Sequence, residues 1–172
     1  MGSTVTPQIF WIETPWRGRL AIMARPRGGD WLRDELQAWK DANLETIVCL
    51  LTSEELTELG LEAEASIGRE LGIEFVSFPV ADRDIPAASG KAQDLVRELA
   101  KRIQAGHNLG IHCRMGLGRS AMFAASILVL AGIDPETAFH NIAAVRGYAV
   151  PDTTEQKNWT VRFADGLQKT NA

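Results

Sequence analysis

The segment IHCRMGLGRS at 111–120 sets a cysteine between an apolar run and a loop with two glycines, and places an arginine after five intervening residues. A cysteine thiolate is a nucleophile in its own right. Gly116 and Gly118 permit positive φ and carry no Cβ, so the backbone N–H groups of Arg114, Met115, Gly116, Leu117 and Gly118 can converge on one anion. A helix beginning near Arg119 adds unpaired N–H groups and the positive end of its dipole, which favours both a bound oxyanion and a thiolate at Cys113. Arg119, folded back over the loop, offers a planar fork of donors to two phosphate oxygens, where lysine would offer a point charge. Ser120 can donate its hydroxyl to the sulfur as the sulfur leaves a phosphoenzyme, and His112 can order the loop from behind. Together these residues suit displacement at phosphorus through a phosphocysteine, with 114–119 as the phosphate site. Such chemistry requires neither a metal nor an organic cofactor.

That loop has to be positioned by a framework. Short apolar runs read as strands at 9–12 (IFWI), 20–24 (LAIMA), 46–51 (TIVCLL), 73–78 (IEFVSF) and 109–113 (LGIHC). Helical periodicity covers 30–43, where Leu32, Leu36 and Trp39 share a face, and 89–105, where Ala92, Leu95, Leu99 and Ile103 align. After Cys113 no strand is expected: 119–131, 134–145 and 153–167 all read as helices. The expected fold class is α/β, a three-layer sandwich with a central, mostly parallel sheet of about four or five strands and a helical C-terminal third. No repeat or Pro/Gly/Ser-rich linker divides 1–172, so one domain is expected.

The formal net charge of −4 argues against bulk attraction to nucleic acid or anionic membranes, so an anionic partner has to be met locally. The most apolar stretch, Phe123 to Ile133, is far shorter than the roughly 20 residues of a membrane-spanning helix. The opening MGSTVTPQIFWIE shows no leader pattern, and a count of two cysteines argues against a disulfide framework. A reducing cytoplasm, a monomer, and no nucleic-acid or membrane partner are the expectations.

Other readings compete for some of these residues. Cys49 in TIVCLL reads as a small buried hydrophobe. GLGRSA at 116–121 fits a dinucleotide pattern with Asp134 downstream, but 119–133 cannot hold both a crossover helix and the strand that must precede the acid. A Walker loop fails because Cys113 stands at its first glycine and Arg119 at its lysine. A non-catalytic phosphate-binding module is the second functional class, and Cys113, Arg119 and a nearby acid argue against it. RPRGGD at 25–30 reads as a strand-to-helix turn with Asp30 as N-cap, which leaves Arg25 and Arg27 as weaker substrate-binding candidates. His107 and His140 read as loop and helix-surface residues, and no pair suggests a metal.

The signature His-Cys, five residues, Arg, Ser resembles that of the cysteine-based phosphatase superfamily. Its Gly-x-Gly-Arg-Ser ending resembles the dual-specificity, kinase-associated-phosphatase-like branch and its bacterial members. PVADRDIP at 79–86 is similar to that branch's acid-bearing loop, and RGYAVPDTTEQKNW at 146–159 to its closing segment, so the likeness covers roughly 20–165. Rhodanese-like proteins and arsenate reductases also carry cysteine-arginine loops but need no aspartate on a separate loop. The resemblance implies a protein-tyrosine or dual-specificity phosphatase, with the phosphate loop at the carboxyl edge of the sheet and a phosphorylated protein or other phosphate monoester as substrate. It implies Asp82 as general acid in preference to Asp84, which would turn to solvent or to its own backbone. Gln156 or Thr154 would help position the hydrolytic water or, equally, stand as surface residues on a helix start, and Pro151 and Asp152 occupy the place where several relatives carry a glutamine. On oxidation of Cys113 the resemblance leaves two outcomes open: a bridge to Cys49, as such cysteines form in some relatives, or, because Cys49 falls two positions before their place, a sulfenic acid or other cap. Lysines in the variable loop positions accompany inositol-phosphate and lipid substrates, whereas Arg114, Met115 and Leu117 stand here and favour protein substrates.

Overall fold

The computed structural model describes residues 5–170; positions 1–4, on which part of the leader expectation falls, and 171–172 lie outside the described residues. Five strands form one sheet: β1 (Phe10–Ile12), β2 (Leu20–Met23), β3 (Thr46–Cys49), β4 (Glu74–Ser77) and β5 (Leu109–His112). Their spatial order is β1-β2-β5-β3-β4, with β1 antiparallel to β2 and every other pairing parallel. Each residue of β2, β3 and β5 is buried, as continuous apolar runs covered on both faces should be.

One face of the sheet is covered by α1 (Leu32–Asp41), α2 (Ser53–Leu59) and α3 (Glu64–Glu70), whose Leu32, Leu36, Trp39 and Leu61 neighbourhood packs on Ala21, Met23, Ile47 and Cys49. The other face carries α4 (Ser89–Gln104), α5 (Arg119–Leu130), α6 (Pro135–Arg146) and α7 (Thr154–Thr170), packed on Leu20, Ile22, Val48 and Ile111. Every residue of α5 from Arg119 to Leu128 is buried, because a helix without a polar face must be surrounded, here by α4, α6, α7 and the sheet. The expected elements are present with ends shifted by up to three residues, and the sheet is mixed only through its edge strand β1. Two short helices, α2 and α3, lie in 52–72, where no element was expected. Asp30 does not cap: a single 3₁₀ turn spans Gly29–Trp31 and begins after Gly28, without a side-chain cap.

Parallel pairing puts the carboxyl ends of β2, β3 and β5 at one edge, with Met23 and Cys49 both in register with His112. Backbone bonds extend this order into the loops. Leu50 N–H donates to His112 O (3.1 Å), Val80 N–H to Leu50 O (3.0 Å) and Arg25 N–H to Arg114 O (3.2 Å). The segment after β4 is thereby laid beside the segment after β3, and the segment after β2 beside the one after β5.

Candidate active site

Cys113 follows β5 directly and is 3 % exposed, at a cavity of about 160 Å3 that Asp82, Arg114, Gly118, Arg119 and Asp152 also line. Gly116 has φ +71°, and a Cβ there would lie 2.6 Å from Met23 O, so both conformation and space demand glycine. Gly118 has φ −95°, open to any residue, and a Cβ there would lie 2.3 Å from Asp152 Oδ2, so that carboxylate would have to move aside. Behind the loop, Arg146 of α6 donates from Nε to Gly116 O (3.1 Å) and from Nη2 to Met115 O (2.9 Å), with its guanidinium over the Phe10 ring. These bonds hold two loop carbonyls on the side of α6. The loop leads into the twelve-residue α5, whose positive end therefore faces the cavity.

Arg119 is 1 % exposed and anchored on several sides. Its Nη1 donates to Glu55 Oε2 (2.7 Å) and Val80 O (2.8 Å), and its Nη2 to Glu55 Oε1 (2.8 Å) and Asp82 Oδ1 (3.1 Å). The fork was expected to meet two phosphate oxygens; in the structure both Nη atoms also donate to Glu55, which sequence reasoning missed. Glu55 is itself placed by a capping box: Thr52 Oγ1 accepts from Glu55 N–H (3.3 Å), while Glu55 Oε2 accepts from Thr52 N–H (3.0 Å). Burial alone would raise the Glu55 carboxyl, but the Arg119 guanidinium and Thr52 N–H outweigh it and hold it below the usual carboxylate range. Burial likewise opposes charge on Arg119, and Glu55 more than offsets it. Arg114 is drawn outward to Glu58 (2.7 Å).

His112 supports the loop from beneath. Its Nε2 lies 2.6 Å from Glu64 Oε1 and its Nδ1 3.1 Å from Cys113 O, with the ring 5.6 Å from Trp39. Burial would push the imidazolium down, but the adjacent Glu64 carboxylate, assisted by the Cys49 sulfur, raises it well above its ordinary range. Cys49, Glu64 and His112 present ligand-type atoms within 4.8 Å of one another, yet the direct 2.6 Å bond leaves no space for an ion between His112 and Glu64. Cys49 packs with the α1 face of the sheet and Cys113 with the opposite core, as period-two alternation from their register requires. A Cys49–Cys113 bridge is therefore not poised, which corrects the redox-partner expectation.

The remaining expected residues divide clearly. Ser120 is buried and its Oγ has no hydrogen-bond partner among the described residues, so no bond to the Cys113 sulfur is formed. Asp82 faces the cavity, whereas Asp84 Oδ1 accepts from its neighbour Ile85 N–H (2.7 Å). Gln156 is fully buried: its Oε1 accepts from Asp152 N–H (3.1 Å) and Thr153 N–H (3.3 Å), and its Nε2 donates to Asp84 O (3.1 Å). It ties the closing segment to the acid loop and does not line the cavity; neither does Thr154, exposed at the start of α7. Arg25 and Arg27 line a separate cavity with Glu35 and Trp39, where Arg27 pairs with Glu35. His107 and His140 are exposed. Among the described residues no helix is long and apolar enough to cross a membrane.

Comparison with known proteins agrees with this geometry. The cyclin-dependent kinase inhibitor 3 of Rattus norvegicus is 26 % identical over 138 residues, which span 79 % of this chain but only 65 % of that protein. A structure of kinase associated phosphatase, with its catalytic-site cysteine replaced by serine, superposes with a TM-score of 0.87 at 23 % identity, covering 96 % of this chain and 98 % of the other. PTPMT1 in complex with PI(5)P gives 0.75 at 19 % identity, covering 94 % and 99 %. Both structures share the fold. Residues 21–133, which run from β2 through the cysteine loop and α5, match the family Tc-R-P, described as polymorphic toxin system, DSP-PTPase phosphatase. The chain belongs to this family of cysteine-dependent, dual-specificity-type phosphatases.

Proposed function

We propose that the chain hydrolyses phosphate monoesters on proteins, phosphotyrosine among them, with Cys113 as nucleophile, 114–119 as the phosphate site and Asp82 as general acid. One observation carries this reading: Cys113, Arg119 and Asp82 line a single cavity where the parallel strands end and α5 begins. In the first step the Cys113 sulfur attacks phosphorus in line with the ester oxygen. The S–P bond forms, the P–O bond breaks, and the leaving oxygen takes the Asp82 proton. A phosphoryl group entering the loop takes over the Nη2–H that Arg119 gives to Asp82, which frees that carboxyl for the leaving oxygen. Loop N–H groups and Arg119 stabilise the equatorial oxygens, and loss of one such donor costs on the order of a hundredfold in rate. Water then attacks phosphorus as the S–P bond breaks, the Asp82 carboxylate left ionised by the first step takes the water proton, the electron pair returns to sulfur as phosphate leaves, and the Ser120 hydroxyl, buried without a partner, serves that departing sulfur.

Support for protein substrates comes from the rim. Met115 is 61 % exposed, and the exposed Tyr148 ring is 5.8 Å from the same Arg146 guanidinium that holds Met115 O. These apolar surfaces suit an aromatic phosphoester, and no lysine stands at 114–118 to grip a second phosphate. In this reading the chain works as a monomer. The test compares kcat/KM for phosphotyrosine peptides, phosphothreonine peptides and soluble phosphoinositides at one pH, alongside Cys113→Ser. A phosphotyrosine preference above about tenfold is expected. A comparable preference for the phosphoinositide overturns the substrate class, and wild-type turnover by Cys113→Ser overturns the mechanism.

A further inference from the structure

Consecutive carbonyls of the phosphate loop are held from outside it. Cys113 O faces His112 Nδ1 (3.1 Å), Arg114 O accepts from Arg25 N–H (3.2 Å), Met115 O from Arg146 Nη2 (2.9 Å) and Gly116 O from Arg146 Nε (3.1 Å). The peptides of this loop are trans, and in a planar trans peptide the C=O of one residue points opposite to the N–H of the next. Turning these carbonyls outward therefore turns the N–H groups of Arg114, Met115, Gly116 and Leu117 inward, toward the cavity. Among the described residues none of those N–H groups donates to another backbone group, so all remain available to an anion.

Resting on the reading of 114–119 as the phosphate site, we propose that Arg146 is a positioning residue of that site, which aims the N–H groups of Gly116 and Leu117 at the phosphoryl oxygens, and that Phe10 seats it. The two carbonyls Arg146 holds belong to the peptides on either side of Gly116, the residue at φ +71°. Glycine has the weakest backbone preference of any residue, so these peptides need an external hold more than their neighbours do. A guanidinium can meet both carbonyls at once through donors fixed in one plane, which an ammonium cannot. The clamp is itself held: the Phe10 ring lies 4.0 Å beneath the guanidinium, and Phe10 is brought there by the antiparallel pairing of β1 with β2, where it stands opposite Ile22. The edge strand thus contributes to the site without lining the cavity.

Binding of inorganic phosphate to the Cys113→Ser protein, measured by calorimetry, reads the loop without the reaction. Adding Arg146→Met should weaken that binding about tenfold. With Cys113 intact, Arg146→Met should lower kcat/KM for an aryl phosphate on the order of a hundredfold, the usual effect of losing an aimed donor, with KM raised as well as kcat lowered. A part played only in folding would lower kcat through the active fraction and leave KM and phosphate affinity unchanged, and that result overturns the proposal. Arg146→Lys keeps the charge without the fork and should recover only a fraction of the loss; full recovery would reduce Arg146 to its charge and overturns the clamp. Phe10→Leu should cost about threefold in kcat/KM by itself and nothing further in Arg146→Met, whereas additive losses overturn the part given to Phe10. Circular dichroism checks folding throughout. If Arg146→Met does not fold, Arg146→Lys carries the comparison, and wild-type phosphate affinity in that variant overturns the proposal. Turnover by Cys113→Ser together with phosphate binding weakened by Arg146→Met would uphold the clamp while the phosphocysteine reading fails.

Discussion

His112 and Glu64 form a buried ion pair beneath the phosphate loop, with Nε2 and Oε1 2.6 Å apart and both side chains at most 1 % exposed. Nδ1, on the far side of the ring, faces Cys113 O at 3.1 Å, so the carboxylate, the imidazolium and the loop carbonyl form one chain. A buried charge of this kind is tolerated only while its partner is present.

Replacing Glu64 by Gln should destabilise the fold by about 3 kcal/mol near pH 6, the usual cost of breaking a buried pair. The pH dependence has a definite sign. Because the folded His112 imidazolium titrates well above its ordinary value, its stabilising contribution is complete below about pH 6.5, where the unfolded group is protonated. It is lost as pH rises through the folded value. Urea unfolding at a series of pH values should show the gap between wild type and Glu64→Gln narrowing toward alkaline pH. A gap independent of pH would mean that the pair carries no net charge coupling.

The sheet and the flanking long helices were readable because apolar runs and helical periodicity are long enough to stand out, as in TIVC of β3 and the aligned face of α4. The loop from Cys113 to Ser120 was readable because glycine, cysteine and arginine at those offsets have few other reasons to coincide. What escaped notice was the pair of seven-residue helices α2 and α3, which are too short for periodicity to reveal. Those helices bear Glu55 and Glu64, the two buried acids that hold Arg119 and His112. A glutamate is ordinarily exposed, so nothing local marks these two as buried. Thr52 with Glu55 at capping-box spacing, followed by Gly60 at the helix end, was the available signal for α2 and could have located Glu55.

Glu55→Gln should disturb Arg119 without removing it. One carboxylate oxygen of the bidentate grip becomes an amide, so both phosphate binding and transition-state stabilisation should weaken, and kcat/KM should fall by about tenfold or more. Stability should respond on the acid side. The folded Glu55 carboxyl is held below its ordinary value, so its contribution is present above about pH 4.3 and lost as pH falls through the folded value. Acid unfolding followed by circular dichroism should therefore begin at lower pH in wild type than would be expected without the pair, and the two proteins should converge at the acid end. Wild-type kinetics in Glu55→Gln would show that Arg119 needs no such anchor.

Mild peroxide should modify Cys113 without forming a bridge to Cys49. The two sulfurs belong to opposite faces of the sheet, and a disulfide needs Cβ atoms roughly 3.5–4.5 Å apart with side chains turned toward each other. Cys113, at the cavity, is the thiol that oxidant can reach, and a sulfenic acid reversible by thiol is the expected first product. Peptide mapping after stoichiometric peroxide checks this, and a Cys49–Cys113 disulfide in that map would require the strand ends to rearrange.

Asp82→Asn and Asp84→Asn should differ sharply, because the turn that carries them points the two carboxylates at different partners. Asp84 N–H donates to Ala81 O (3.0 Å), and Arg83 between the aspartates has φ +61°, a left-handed conformation uncommon outside glycine. That kink sends Asp82 to Arg119 at the cavity, while Asp84 Oδ1 accepts from Ile85 N–H at 2.7 Å and its carbonyl accepts from Gln156. As general acid, Asp82 matters most when the leaving oxygen is basic. Asp82→Asn should lower kcat on a tyrosyl or naphthyl phosphate by roughly a hundredfold or more, and by much less on a nitrophenyl ester, whose oxygen departs without a proton. Asp84→Asn should change kcat little on any of these esters. A leaving-group series on both variants makes the comparison: equal deep losses would mean a coupled pair, and a loss confined to Asp84→Asn would transfer the acid's role to that residue.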